Sequence, residues 1–267
     1  MINILVSVKP DLASSIAIRY AGQLGKLMEI GLQPIHVKEP EQKGNLFGTG
    51  WVRHTWEHVL TEKGEEEINQ LIRAEKPNCP ALAAPRVVLG DREEEILREL
   101  QAGAYDLFME GALASFNVND FRNLVRSKLY QGVPCPIVVV KNLVPVEKTS
   151  LLLYEGMDAH RLIEEYVRVF KEAKLALDLF YYTPENLDTI HITESDLSEL
   201  PLDSAKQLLE EAQLLPRSTQ RIAGPPQQIG EYLADYALVG AAIRDEAGKK
   251  NPILTVLART PSPVFIC

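Results

Sequence analysis

Two histidines and a glutamate lie within one helical turn of each other in the string His54-Thr55-Trp56-Glu57-His58. On a helix, residues i and i+4 share a face, so the two imidazoles can bind one transition metal ion with Glu57 as a base beside it. This spacing raises a metal-dependent hydrolase as a remote hypothesis. The segment is charged and offers no clear third ligand, and a solvated helix face explains it equally well. We therefore predict no metal site.

The cysteines do not point to chemistry either. Cys79, Cys135 and Cys267 are too few and too widely spaced for a disulfide framework or a cysteine-rich zinc site. Cys135 stands between two prolines at the start of an apolar run, where a small apolar side chain is expected. No Ser/His/Asp arrangement and no carboxylate pair can be placed at one site. The sequence thus predicts no catalytic residue and no enzyme, although slow ATP hydrolysis stays open.

Composition narrows the classes of partner. The 267 residues carry 28 basic and 37 acidic side chains, a net charge of -9. This charge disfavours nucleic acids and anionic membranes as partners, since binding to phosphates needs a basic surface. The apolar runs are far shorter than the ~20 residues of a membrane span. The first residues, which read as a strand, carry no leader pattern, so we expect a cytoplasmic protein.

Short apolar runs alternate with segments of helical periodicity along the chain. Strands are predicted over 1–8, 32–37, 86–89, 105–109 and 136–140, and helices over 12–30, 91–100 and 121–130, with a charged helix in an insertion that ends near residue 78. Strands that are apolar on both faces and alternate with helices indicate a parallel sheet covered by helices.

The same order of elements returns after residue 149. Strands over 150–154, 177–182, 235–240 and 261–267 and helices over 159–170 and 224–234 repeat the first set. The offset between the copies falls from 146 (Lys9 to Glu155) to 129 (Gly111 to Gly240) and 127 (Pro134 to Pro261). A falling offset is typical of a tandem duplication whose second copy has lost residues between elements. We predict domains at residues 1–142 and 149–267.

The first copy resembles a universal stress protein domain over nearly its whole length. The segments that carry the resemblance are Ile4 to Asp11, Ile35-His36-Val37, Val88-Leu89-Gly90-Asp91 with Glu94 to Leu97, Tyr105 to Gly111, and Val133 to Val140. The second copy is a weaker match. The resemblance implies an α/β fold with two tandem copies of a five-stranded parallel sheet flanked by helices, which is Rossmann-like and binds adenine nucleotides in some members. It also implies that the two domains pair with each other and that tandem chains can form a homodimer.

The resemblance places a nucleotide site at the carboxyl ends of the strands, with an acidic residue after the first strand and a G-x-x-G-x9-G-Ser/Thr loop after the fourth. In the first copy the corresponding residues are Lys9, Val37, Gly111 and Ala114, with Asn123 or Leu124 near the third glycine. In the second copy they are Glu155, Gly156 and Gly240, with Ile243 and then Lys250 or Asn251 in the loop.

Both copies depart from the nucleotide-binding pattern. Glycines in such loops let backbone N–H groups approach phosphates, and Ala114 and Ile243 add side chains there. The acidic position of the second copy and the milder loop change of the first favour opposite copies, so the sequence leaves open which one could work. We predict a non-catalytic, stress-linked regulatory or interaction protein with degenerate nucleotide sites, no cofactor and an unknown protein partner. The alternative is a member that binds ATP or AMP in one working cleft.

Overall fold

The alternating strands and helices form one mixed sheet with helices on both faces. The computed structural model describes residues 1–39, 51–112, 117–185, 187–195, 203–243 and 251–267, and the side chains of all of these except 51–61, 63 and 203–206. The strands are β1 (Ile2–Ser7), β2 (Ile30–Lys38), β3 (Arg86–Leu89), β4 (Leu107–Gly111), β5 (Ile137–Val140), β6 (Lys148–Tyr154), β7 (Ala176–Thr183), β8 (His191–Glu194), β9 (Ser218–Ala223), β10 (Leu238–Ala241) and β11 (Val264–Ile266). The helices are α1 (Leu12–Leu24), α2 (Trp51–Glu75), α3 (Arg92–Ala102), α4 (Val118–Arg126), α5 (Lys128–Gly132), α6 (Ala159–Phe170), α7 (Asp203–Glu211), α8 (Pro226–Tyr232) and α9 (Pro252–Arg259).

The order of the strands is β3-β2-β1-β4-β5-β11-β10-β6-β7-β9-β8. Strands β1 to β5 pair in parallel, and β6, β7, β9, β10 and β11 repeat this arrangement in mirrored order. Strand β8, which the sequence patterns did not predict, pairs antiparallel with β9 at the edge. The predicted α/β class, with helices covering a mostly parallel sheet, is confirmed. The domain limits 1–142 and 149–267 stay a prediction.

Acidic side chains fix where several helices begin. Asp11 accepts a hydrogen bond from the backbone N–H of Ser14 at 2.8 Å, and Asp158 accepts one from Arg161 at 2.9 Å. Asp91 accepts from Glu93 and Glu94 at 3.0 and 3.2 Å. Each cap satisfies N–H groups that have no partner inside the helix. Helices α1 and α3 follow the carboxyl ends of the parallel strands β1 and β3, so their caps place two helix N-termini at one edge of the sheet. Strand β6 runs in the opposite direction because the halves join through the antiparallel pair β5–β11, so α6 begins at the other edge.

Two apolar layers fill the space between the sheet and its helices. One contains Ile4 and Val6 of β1 with Leu151 and Leu153 of β6, and packs under α1 and α6. The other contains Leu5 and Leu152 and packs under α3, α4, α8 and α9. Alternate strand residues enter opposite layers, as the period of two in a strand requires. Each layer runs through both halves of the sheet. No helix in the described part of the chain is long and apolar enough to cross a membrane.

The two halves meet where β5 pairs antiparallel with β11. Two further contacts cross this joint at equivalent places: the Tyr20 hydroxyl of α1 donates to the carbonyl oxygen of Ala237 at 2.9 Å, and the Arg168 guanidinium of α6 donates to that of Asp106 at 3.3 Å. Asp106 and Ala237 are equivalent positions, because each lies one residue before the first registered pair of its strands, Ile4–Leu107 or Thr149–Leu238. Each donates its backbone N–H at 2.8 Å to a carbonyl oxygen of the neighbouring strand, that of Asn3 or Lys148.

A buried lysine completes the joint. Lys141 follows β5, and its ammonium donates to the carbonyl oxygens of Leu257, Ala258 and Thr260 at the end of α9, the last two at 3.1 Å. It also lies 4.9 Å from the centroid of the Phe121 ring. Carbonyls at a helix C-terminus have no partner inside the helix and favour a cation. The first half thus caps a helix of the second.

Candidate functional site

The carboxyl ends of β1, β2 and β4 lie side by side, and the residues predicted from the first copy are found there. Lys9 follows β1 and is exposed, Val37 near the end of β2 is half-buried, and Gly111 ends β4. Ala114 lies outside the described residues. The structure therefore brings Lys9, Val37 and Gly111 to one edge of the sheet, the usual ligand position in an open α/β fold.

Gly111 is required by packing at this edge. A Cβ atom at position 111 would overlap the carbonyl group of Ala13 in the first turn of α1. Its φ is not in the left-handed region, so close approach of the helix, not backbone freedom, calls for glycine. The space beside Gly111 is already taken up by the protein's own backbone.

Four polar side chains that the sequence patterns did not predict meet at the same edge. Arg92, the first residue of α3, forms an ion pair with Glu110 of β4 and donates to the Ser7 hydroxyl at 3.1 Å. The Tyr130 hydroxyl of α5 donates to the other oxygen of Glu110. Ser7, Glu110 and Tyr130 are buried, and Ser7 and Glu110 are neighbours in the register of β1 and β4. We call these four residues the carboxyl-edge cluster.

The charges of the carboxyl-edge cluster are paired with each other. Burial alone would lower the pKa of the Arg92 guanidinium, but the adjacent Glu110 carboxylate outweighs it and the pKa is raised, so Arg92 stays protonated. Burial, reinforced by Glu110, raises the pKa of Tyr130 well above its ordinary value, so the phenol stays neutral and donates. Arg92 is incompletely satisfied, because its buried Nε has no hydrogen-bond partner among the residues that the structure describes. The arrangement is a neutral hydrogen-bonded network, not an acid–base pair.

His36 of β2 lies on the face of the sheet opposite to the carboxyl-edge cluster. Its Nδ1 is 2.9 Å from the carbonyl oxygen of Val8, and its buried Nε2 has no hydrogen-bond partner among the described residues. Gly64 of α2 lies against the ring, with its Cβ position 3.6 Å from the histidine Cδ2. The neighbouring ion pair of Lys38 and Glu67, at 2.9 Å, ties α2 to β2. The contacts of His36 with Val8 and Gly64 make it part of the packing of α2 on the sheet.

The second-half positions that correspond to Ser7 and Glu110 are apolar. In the register of the strands, Asp106 corresponds to Ala237 and Asn3 corresponds to Lys148. Counting along the strands from these positions, Glu110 corresponds to Ala241 and Ser7 corresponds to Leu152. Both of these second-half side chains are buried in the apolar layer. The carboxyl-edge cluster therefore has no polar counterpart in the described second half.

The same register corrects the alignment of the glycines. Gly111 is equivalent to Ala242, and Gly240 lies two residues earlier, with its Cβ position against the Leu151 side chain and the Phe265 ring. Gly240 is therefore a core position. Glu155 and Gly156 are exposed, and Gly156 has φ of 83°, which explains glycine in the turn after β6.

The remaining sequence candidates carry no site. Cys79, Cys135 and Cys267 are buried free thiols, and burial raises the pKa of Cys135 to about 12, which makes it unreactive. His54, Glu57 and His58 lie on α2, as the spacing required, but their side chains are outside the described set. Among the described residues, no group of three or more His, Cys, Asp or Glu side chains is arranged to hold a metal ion.

Two hints in the sequence could have led to the cluster. Glu110 is a charged residue that directly follows the apolar run Leu107-Phe108-Met109, and a charge buried there needs a partner. Arg92 directly follows the capping Asp91, where a basic side chain opposes the helix dipole. Neither hint names the partner, because Arg92 and Glu110 are brought together only by the packing of α3 on the sheet.

Solved structures share this fold over almost the whole chain. A universal stress protein from Archaeoglobus fulgidus DSM 4304 is 15% identical with a TM-score of 0.65, and the match covers 99% of this chain and 95% of that chain. A functionally unknown protein from Pseudomonas aeruginosa PAO1 is also 15% identical, with a TM-score of 0.58 and coverage of 99% and 91%. No protein-family model and no curated protein matches the chain. The chain thus has the fold of a universal stress protein.

Proposed function

We propose that this chain is a tandem universal stress protein without catalytic activity, which acts in the cytoplasm through a protein partner and has degenerate nucleotide sites. The similarity of fold to the Archaeoglobus fulgidus protein along the full chain supports the family. The Gly90-Asp91 and Pro134-Cys135-Pro136 segments of the sequence support it independently. The two halves are proposed to represent two family domains paired through β5 and β11.

The observation that carries the proposal is the ion pair of Arg92 and Glu110. A polyphosphate needs cations or free N–H groups to neutralise it. Here the guanidinium already faces a carboxylate, and the Arg92 backbone N–H donates to Glu39 at 3.4 Å. A nucleotide phosphate would meet both carboxylates at close range, where like charges repel strongly. The described residues of this edge therefore do not fit a polyphosphate.

The second half supports the same conclusion. At the positions equivalent to Ser7 and Glu110, Leu152 and Ala241 are buried and offer no hydrogen bond to a ligand. Gly240 lies in the core, with its Cβ position against the Leu151 side chain and the Phe265 ring.

One specific observation favours the alternative, an ATP- or AMP-binding member with one working cleft. The buried Arg92 Nε has no hydrogen-bond partner in the described part of the chain, and Lys9 is exposed at the same edge. Both residues belong to the first half. If either half binds a nucleotide, we expect it to be the first.

Thermal unfolding of the purified protein with ATP, AMP or EDTA tests the proposal. A ligand at 100 times its Kd adds ~2.7 kcal/mol, which is a shift of several degrees for a chain of this size. We expect no shift with any of the three. A rise with ATP or AMP that disappears in the Arg92→Leu variant would refute degenerate sites and establish the working cleft. A fall in the unfolding temperature with EDTA would instead support a metal site at His54, Glu57 and His58.

The oligomeric state is tested separately. We expect a homodimer of tandem chains, which sedimentation equilibrium would detect as a mass of twice 29.8 kDa. A single-chain mass at micromolar concentration would show that the pairing of β5 with β11 already satisfies the surface through which the domains are proposed to pair.

A further inference from the structure

A hollow of about 350 Å³ opens at the amino edge of the first half, opposite to the edge that carries Arg92. It lies where the starts of β1 and β2 meet the turn between α3 and β4. Helix α3 ends at Ala102, so it leaves this part of the sheet uncovered. A volume of this size is within the range of roughly 300–1,000 Å³ that is typical of small-molecule sites. We call it the amino-edge pocket; it is lined by Asn3, Gly31, Gln33, Ala81, Ala83 and Tyr105.

Small residues create the space. Asn3 pairs with Gly31 and Leu5 pairs with Gln33 in the register of β1 and β2, so Asn3, Gly31 and Gln33 lie on the face that α3 covers further along. Gly31 has an ordinary negative or extended φ, so glycine is not needed there for backbone conformation. A Cβ atom at position 31 would lie 3.3 Å from the Asn3 side-chain oxygen and project into the hollow.

The pocket has an aromatic wall. The Tyr105 ring lies over Gly103, the residue that caps α3, where a side chain would collide with the ring. The Tyr105 hydroxyl donates to Glu99 at 2.7 Å, which holds the ring in this position. An aromatic face fixed in this way is suited to stacking against a planar ligand.

Two carboxamides provide unused hydrogen-bonding groups. In the described part of the chain, the Asn3 side-chain amide makes no hydrogen bond, so it offers both a donor and an acceptor. Gln33 uses its NH2 group on the carbonyl oxygens of Pro34 and Ala84, at 3.1 and 2.9 Å, which leaves its Oε1 as an acceptor. A carboxamide can pair with a ligand edge that carries a donor beside an acceptor, as Asn and Gln do with adenine.

The charges near the pocket are already paired. Asp106 accepts from the Asn3 backbone N–H at 2.8 Å and forms an ion pair with Arg168 at 3.3 Å. Glu99 forms an ion pair with Arg86 and accepts from Tyr105. Among the described residues, no charged side chain lines the hollow itself. An ionic ligand would find no counter-charge there, so the lining selects a neutral one.

From these contacts we propose that the amino-edge pocket binds a small, uncharged, planar heterocycle whose edge presents a hydrogen-bond donor next to an acceptor. The ring stacks on Tyr105 above Gly31, and its edge pairs with the carboxamides of Asn3 and Gln33. This site is independent of the carboxyl-edge cluster and of the proposed function.

The test uses adenine and nicotinamide as probes against the full chain, with toluene as a planar probe without the polar edge and AMP as a charged one. Chemical shifts of backbone amides in ¹⁵N-labelled protein report both affinity and location. We expect adenine and nicotinamide to shift the resonances of Asn3, Gly31 and Gln33 in a saturable way. We expect toluene to have no effect and AMP to bind at least about tenfold more weakly than adenine, since none of the described residues lining the pocket is a cation.

Three variants separate binding from folding. Gly31→Leu fills the hollow and should abolish the shifts. Asn3→Leu and Gln33→Met keep the side-chain size, remove the polar edge, and should each weaken adenine by about tenfold or more, because a buried ligand edge is left unpaired. Thermal unfolding of each variant checks the fold. Saturable shifts at Ser7, Arg92 and Glu110 instead, equal affinity in the folded variants, or no binding of either heterocycle at millimolar concentration would overturn the proposal.

Discussion

Replacing Glu110 with glutamine is the sharpest test of whether the ion pair with Arg92 stabilises the carboxyl-edge cluster and excludes anions from it. Glutamine keeps the size and an acceptor for Tyr130, but it removes the charge that neutralises Arg92. Breaking a fully buried ion pair costs about 3–5 kcal/mol. Because the Arg92 side chain is 23% exposed and Glu110 9%, water partly compensates, and we expect a loss of about 2 kcal/mol. For a chain of this size, that is a fall in Tm of about 4–8 °C.

The same substitution should open the edge to anions. With Glu110 neutral, Arg92 can pair with a phosphate, so millimolar AMP or inorganic phosphate should raise the Tm of Glu110→Gln and leave that of the natural chain unchanged. Glu94→Gln is the matched control, since Glu94 pairs with Lys128 on the surface at 2.8 Å, and no measurable loss is expected there. Equal stability of Glu110→Gln and Glu94→Gln, or an anion response in the natural chain, would refute the reasoning.

Three further predictions concern contacts elsewhere in the protein. Gly111→Ala should lower the free energy of unfolding in urea by at least about 2 kcal/mol, because the new methyl group overlaps the Ala13 carbonyl. Gly156→Ala is the control: its surroundings are open, so it should cost only about 1–2 kcal/mol of backbone strain at φ 83°. Losses below about 1 kcal/mol in both variants would refute the close approach of α1 to Gly111. Burial alone would raise the pKa of Asp178, but hydrogen bonds from Arg217, Tyr236 and Ser218 outweigh it and the pKa is lowered. The stability advantage over Asp178→Asn should therefore be complete at pH 7 and shrink as the pH falls below about 4, and an advantage independent of pH would contradict this assignment. Burial lowers the pKa of Lys141 to about 7. Between pH 7 and about 10 the unfolded chain therefore binds more protons than the folded chain, and the free energy of unfolding should rise with pH. Lys141→Met should remove that rise, and parallel pH profiles of the two proteins would contradict this prediction.

Much of the fold could be predicted from local patterns. The helix after Asp91 and the strands ending at Ser7 and Val140 are where the alternation and capping signals place them. Other elements were missed or misplaced: β8 and β9 were not predicted, α1 ends at Leu24 rather than near residue 30, and β10 begins at Leu238 rather than 235. The ends of these elements depend on neighbours far along the chain, such as the pairing of β9 with β7.

The candidate site was harder to predict, and the glycine alignment shows why. The apparent match of Gly111 to Gly240 differs by two residues from the match that hydrogen bonding produces, Gly111 to Ala242. A slip of one residue would turn every side chain to the wrong face, but a slip of two leaves the apolar pattern intact. The alternation of apolar residues therefore cannot reveal a two-residue shift in the alignment of the two copies.

Periodicity, capping residues and the internal repeat by themselves determined that the chain is an α/β protein built from two similar halves, because these signals act within one turn or one strand. Tertiary structure decided that Arg92 meets Glu110 and Tyr130, that Lys141 caps a helix of the other half, and that Asn3, Gly31 and Tyr105 surround a hollow. Each of these arrangements joins residues from different elements, and only the register of the sheet and the packing of helices on it bring them within reach of one another.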